Sequence, residues 1–128
     1  MSIVKKTRWI AAAAAVLLIP AAALSAGNAA SCGFSGGDAV RGKTLYKSTC
    51  VACHGANGRG TIPGVPDFNK KGGVLTKSHS VLTDHMERGF KSPSSPMAMP
   101  ARGGNPKLTA QDLRDVHSYL HDTFGCGR

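Results

Sequence analysis

Acidic residues are scarce in this 128-residue chain: seven Asp and Glu stand against 16 Lys and Arg, a formal charge of +9. Aromatic residues make up only 5%, with a single Trp, Trp9. A chain of about one domain's length is thereby short of the side chains that usually fill a core. Strand-like alternation is missing, and 16 glycines with 7 prolines interrupt the chain too often for long strands or a coiled coil. No Ser/His/Asp set, no paired carboxylates and no phosphate-cradling loop is evident, so nothing in the sequence points to an enzyme. An apolar run of spanning length is missing too. The stretch 9–24 holds 16 uncharged residues with Pro20 inside it, against about 20 for a transmembrane helix.

That run has another use. Lys5, Lys6 and Arg8 precede it, and Ser25-Ala26-Gly27-Asn28-Ala29-Ala30 follows, the basic, apolar, small-residue order of a secretory signal peptide. We expect residues 1–30 to be a leader cleaved somewhere within 25–30, with 31–128 as a single exported domain that spans no membrane; an uncleaved anchor is the alternative. The leader takes three basic residues and the only Trp with it, leaving 13 basic against 7 acidic residues, a formal +6. A chain under roughly 100 residues with so poor a core usually needs a disulfide, a metal or a cofactor.

Four cysteines remain, and two lie in Cys50-Val51-Ala52-Cys53-His54. The spacing C-x-x-C-H is that of covalent c-type haem attachment. Residues three apart share a helix face, so both thiols can add to the two vinyl groups of one porphyrin while His54 offers its imidazole to the iron. A thioredoxin-like pair would need a βαβ pattern around it. A zinc site would need a second ligand pair at close spacing, and His79, His85, His117 and His121 show no pairing with a cysteine. A bridge between Cys50 and Cys53 is a third, weaker use of the motif.

A haem needs its sixth position filled or deliberately left open. Residues 91–106 hold four prolines and two glycines, a linker by composition, yet Met97 and Met99 stand at the centre. Thioether sulfur suits low-spin haem iron, and Met/His ligation raises the reduction potential relative to two imidazoles. Prolines stiffen the loop that would hold the sulfur. Either methionine fits this role, and packing against the ring or a distal histidine is the alternative.

Helices are legible around these motifs. Asp38 is placed to cap a first helix running towards Cys50, with Val40, Leu45, Tyr46 and Thr49 on its apolar side. Gly42 inside it costs about 1 kcal/mol against Ala, which suggests close approach by another element. Ser78–Arg88 reads as a short helix with Val81, Leu82, His85 and Met86 on one side and Gly89 as its stop. A last helix starts at Thr109, with Asp112 three residues on as a shortened capping box, and Leu113, Val116, Leu120 and Phe124 recur at helical spacing.

In order, Gly37-Asp38-Ala39, Gly42 to Tyr46, Cys50 to Gly55, Gly58-Arg59-Gly60, Pro66-Asp67-Phe68, Met99-Pro100 and Tyr119-Leu120 resemble a class I monohaem cytochrome c of the small bacterial periplasmic kind. The resemblance implies an all-α cytochrome c fold, three to five short helices and long loops around one covalent haem c. It implies Met99, directly before Pro100, as the axial ligand rather than Met97, and the Pro66 carbonyl as acceptor for His54 Nδ1. It also implies crossed terminal helices, with Gly42 and Tyr46 near Tyr119 and Leu120. Crossing brings the chain ends together, so Cys32 and Cys126 are expected to close a disulfide in an oxidising periplasm, worth about 4–5 kcal/mol in the loop-entropy model. A lipidated Cys32 and pairing with another chain are the alternatives.

The function expected is a monomeric, periplasmic, His/Met-ligated carrier that moves one electron between redox proteins in a Gram-negative bacterium. The rivals are a haem protein with an open sixth site and a cytochrome subunit of a dehydrogenase or oxidase. The mature basic residues are scattered, with Lys70-Lys71 the one adjacent pair, which fits an acidic redox partner better than a nucleic acid.

Overall fold

The carboxylate of Asp38 opens the first helix by accepting from the backbone N–H groups of Val40 at 2.8 Å and Arg41 at 3.1 Å. The computed structural model describes residue 34, residues 36–93 and residues 95–125. The leader, Cys32 and Cys126 lie outside the described residues. Helix α1 is Ala39–Leu45; one wide π-type turn, Tyr46–Cys50, joins it to α2, Val51–His54. The helix expected to end at Cys50 therefore carries on through the C-x-x-C-H motif. A wide turn of this kind is often found at functional sites.

Helix α3 is His79–Arg88, capped by the Ser78 hydroxyl and ended by Gly89 at φ +83°. Helix α4 is Ala110–Leu120, followed by a second wide turn, His121–Gly125. Its start is a complete capping box: Thr109 N–H donates to Asp112 Oδ2 at 2.7 Å, and Asp112 N–H donates to Thr109 Oγ1 at 3.1 Å. Aspartate, shorter than the usual Glu or Gln, is long enough here. Among the described residues there is no strand, only an antiparallel bridge between Phe90 and Met99. The all-α expectation holds.

Helices α1 and α4 cross with their backbones in contact. A Cβ on Gly42 would lie 1.9 Å from the Asp115 carbonyl oxygen, and one on Gly37 would lie 2.3 Å from that of Arg114. Gly42 thus meets α4 one turn before the expected Tyr119 and Leu120, while Tyr46 does reach Tyr119, ring centroids 5.3 Å apart. Val40, expected on the apolar side, is 80% exposed. It sits two residues from Gly42, about 200° round the helix, so Gly42 facing α4 turns Val40 to solvent.

Asp115 fastens the crossing. It is 1% exposed, and its carboxylate accepts from the Asp38 N–H at 2.9 Å, Arg41 Nη1 at 2.6 Å and Gln111 Nε2 at 2.8 Å. The same Arg41 also pairs with Asp112.

Two predictions follow from this crossing. Ala at position 42 gains about 1 kcal/mol of helix propensity, but its methyl would strike a backbone carbonyl, and overpacking costs about 1–3 kcal/mol. Gly42→Ala should therefore lower the urea midpoint, and a midpoint at or above wild type would show that the helices part easily. The second concerns acid. Hydrogen bonds from the Thr109 backbone and side chain, and then Arg41, hold the Asp112 carboxyl below its ordinary 3.8. A lowered folded pKa gives stability that is complete above the unfolded value and is lost as pH falls through the folded one. Wild type should lose more stability than Asp112→Asn between pH 5 and pH 2, measured as urea midpoints; equal losses would remove Asp112 from the acid response.

Candidate functional site

Cys50 and Cys53 stand one helical turn apart, half-buried, and both are free thiols. Burial, reinforced by Cys53, pushes the Cys50 thiol up to about 11. The turn that carries them is tied down from the loop that follows. Thr61 N–H donates to the Cys53 carbonyl and Gly60 N–H to that of His54, each at 2.9 Å, and Thr61 Oγ1 donates to the Ala52 carbonyl at 2.7 Å. These bonds satisfy carbonyls that a helix end leaves open. Tyr46 donates its hydroxyl to the Gly55 carbonyl at 2.6 Å. Burial, then Cys50 and Tyr119, push its pKa up, so it stays a donor.

The thiols open into a cavity of about 760 Å³, lined also by His54, Pro66, Phe68, Met97 and Met99, with Leu82, Met86, Leu113, Val116 and Leu120 forming apolar wall. Cofactor sites commonly span about 300–1,000 Å³. Every described residue singled out from the sequence for haem attachment or ligation therefore faces one space.

The His54 ring stacks on Phe68, centroids 4.8 Å apart and planes 12° apart. The bond expected from Nδ1 to the Pro66 carbonyl is not formed: Nδ1 is buried without a hydrogen-bond partner. The ring stacks on Phe68, and Pro66 lines the cavity beside it. Burial lowers the His54 pKa, which keeps the imidazole neutral and its electron pair free for a metal.

The two methionines are held differently. Phe90 and Met99 exchange both backbone hydrogen bonds, at 3.0 and 2.8 Å, and Met99 packs on the core. Gly89 permits this approach, since a Cβ there would lie 2.7 Å from the Met99 carbonyl oxygen. Met97 is 54% exposed, its loop fastened by Lys91 Nζ donating to the Ser95 carbonyl at 2.7 Å and by Ser95 Oγ donating to the Met97 carbonyl at 2.7 Å. Beyond Pro100 the backbone is left-handed at Arg102 (φ +53°), Gly103 and Gly104. Arg102 holds this turn through the Leu108 carbonyl and Glu87, and Gly103 fits against Thr49 beside the thiol-bearing turn.

Sequence reasoning assigned no role to Phe68, Phe90 or Arg102. Pro66-Asp67-Phe68 and Gly89-Phe90 were the available signals, yet neither says which ring or strand partner lies opposite. Two thiols on one turn, the imidazole of the next residue facing the same space and an apolar cavity of cofactor size together fit a covalently held haem.

The comparisons agree with this geometry. The family model described as cytochrome c matches residues 39–124. Cytochrome c-555 of Chlorobaculum thiosulfatiphilum is 32% identical over 83 residues, covering 65% of this chain and 93% of the relative. Cytochrome c-555 of Chlorobaculum tepidum is 31% identical over 114 residues, 89% of this chain and 94% of the relative. Cytochrome c-554(547) of Halothiobacillus neapolitanus is 34% identical over 90 residues, 66% and 94% of the two chains.

Proposed function

Since the chain belongs to the cytochrome c family, and is a haem c electron carrier on that ground, we propose that His54 and Met99 would be the two protein ligands of its iron. We propose further that the protein is exported to the periplasm and, as a monomer, passes single electrons between redox proteins. The observation that carries the ligand assignment is the Phe90–Met99 bridge, which pins Met99 at the cavity while Met97 stands half in solvent. When bound, haem supplies a one-electron iron couple.

The chain's own residues do the rest. Cys50 and Cys53 anchor the group, the Thr61 and Gly60 bonds hold their turn rigid, and Leu82, Met86, Leu113 and Val116 exclude water from one wall. A drier surround disfavours the more highly charged oxidation state, one of the levers that set a potential. With both His54 and Met99 as ligands, the iron would leave substrate no coordination position, which favours a carrier over an open-site haem protein. Electrons would cross where the cavity rim reaches solvent. Phe90, 42% exposed, and Met97, 54% exposed, line the cavity, as do Lys70 and Arg102. An apolar rim with basic neighbours suits transient docking of an acidic partner. Residues 1–30 would direct export.

Optical spectra of both oxidation states test the ligand. Met99→Ala should lose the sulfur–iron charge-transfer band and Met97→Ala should keep it; the reverse pattern would move the ligand to Met97, and rapid carbon monoxide binding by reduced wild type would favour the open-site protein. Electron exchange with an acidic redox protein should slow steeply as ionic strength rises from about 0.01 to 0.15 M, where the screening length shortens from about 30 to 8 Å. A rate indifferent to salt would remove charge steering.

A further inference from the structure

Three histidines meet where α3 begins and α4 ends, and one of them, His117, also lines the haem cavity. His117 and His121 are four residues apart and so share a helix face, and His79 starts α3 opposite them. His79 Nδ1 lies 3.3 Å from His117 Nε2. The three rings stand 4.8 to 5.1 Å apart, centroid to centroid. One nitrogen from each lies within 4.8 Å of the others.

Ordinary core packing explains part of this cluster. Phe34 stacks on His117 at 4.2 Å and leans on His79 at 4.9 Å, as an apolar cover would. Packing does not explain His121, which is 8% exposed with a buried Nε2 that has no hydrogen-bond partner. Buried polar atoms are nearly always paired, and here the unpaired atom belongs to a residue already beside two other imidazoles.

The spacing is that of metal ligands. Zinc binds imidazole nitrogen at about 2.0–2.1 Å in tetrahedral geometry, which sets ligating nitrogens about 3.3 Å apart. The His79–His117 pair already has that separation. The third nitrogen needs a shift of about 1.5 Å at most, within reach of the broad χ2 of histidine. Thr83 Oγ1 lies 3.5 Å from His117 Nδ1, so the hydroxyl can accept that proton and leave Nε2 with its electron pair towards His79; ligating histidines commonly have such an outer partner. Burial, with His121 and His79 beside it, brings His117 down to about 4, so no proton competes for that pair near neutrality. Asp122 adds negative charge next to His121. His79 is half-buried, which leaves a route from solvent.

We propose that His79, His117 and His121 form a second metal site, behind the wall of the haem cavity that His117 helps to line, for a borderline divalent transition ion of the zinc class, with water as the fourth ligand. Three imidazoles select such ions over magnesium and calcium, which prefer oxygen. The site asks nothing of the haem beyond a folded protein, so it stands whichever methionine binds iron.

The test is calorimetric titration of untagged, chelator-stripped oxidised holoprotein with Zn²⁺. One equivalent should bind, and Mg²⁺ under the same conditions should not. Losing an outer hydrogen-bond partner costs about 10–100-fold in metal affinity. Thr83→Val should fall in that range, and His79→Gln and His121→Gln should each lose more. His117 is wholly buried and its variant is the one at risk of misfolding, so the other two carry the test, with far-ultraviolet circular dichroism and the haem absorption spectrum confirming that they fold. No binding by wild type up to about 1 mM zinc, or full affinity in both His79→Gln and His121→Gln, would overturn the proposal.

Discussion

The closeness of α1 and α4 is the constraint on which the rest of the molecule depends. With Gly42 against the Asp115 carbonyl, no side chain separates the two helices. Asp115 then reaches back from α4 to the Asp38 N–H and to Arg41. Removing one partner from such a buried charged pair typically costs about 3–5 kcal/mol, because the other charge is left in the interior; Arg41, about half exposed, moves this pair towards the lower end. The crossing puts Tyr46 next to Tyr119 and Phe124. The same Tyr46 holds the Gly55 carbonyl, one residue beyond His54. A contact between backbones thus sets, in two steps, where the histidine of the motif stands.

A core short of aromatic mass is the second constraint. Much of the apolar surface of α3 and α4 lines a cavity instead of closing on itself: Leu82 and Met86 on one side, Leu113, Val116 and Leu120 on another. These side chains are buried, and Met86, Leu113, Val116 and Leu120 belong to the core cluster on one side while facing the cavity on the other. A chain built this way gains from its cofactor what larger proteins gain from interdigitating side chains. Ligand binding to the folded state alone adds to stability by mass action, and two covalent links make that contribution permanent. Folding and cofactor attachment are therefore one problem for this protein.

Much of this was legible in the residues themselves. Asp38, Ser78, Thr109 and Gly89 mark helix ends by local chemistry, and local chemistry is what a sequence displays. Cys50, Cys53 and His54 were equally plain, since their relation is fixed within one turn. Gly42 announced a close approach but not its partner, and the contact fell one turn earlier on α4 than the resemblance implied. Val40 was misplaced for the same reason: a short helix has several apolar stripes, and only the partner decides which is buried. The ring opposite His54, the backbone pair that holds Met99 and the meeting of His79 with His117 and His121, 38 and 42 residues further along the chain, are all products of tertiary contact. No spacing rule encodes them.

Helix α4 shows how these constraints combine. From Asp112 to Leu120 it is buried on nearly every side, with Arg114 the exception, so each polar group it carries must find a partner or remain costly. At its start the accounts are settled: Asp112 has Thr109 and Arg41, and Asp115 has three donors. Further along, pairing thins out. His117 has His79 and Thr83 at 3.3 and 3.5 Å, whereas Ser118 Oγ and His121 Nε2 have no partner. The paired carboxylates thus lie where α4 meets α1, and the unsatisfied His121 lies beside His79, where the end of α4 meets α3. Unsatisfied buried groups destabilise a fold by about 1–3 kcal/mol each, and a bound ion that engages them removes that cost. One helix therefore divides its work along its length, with its polar start locking the fold, its apolar face enclosing the haem cavity and its end the part of the core with most to gain from a ligand.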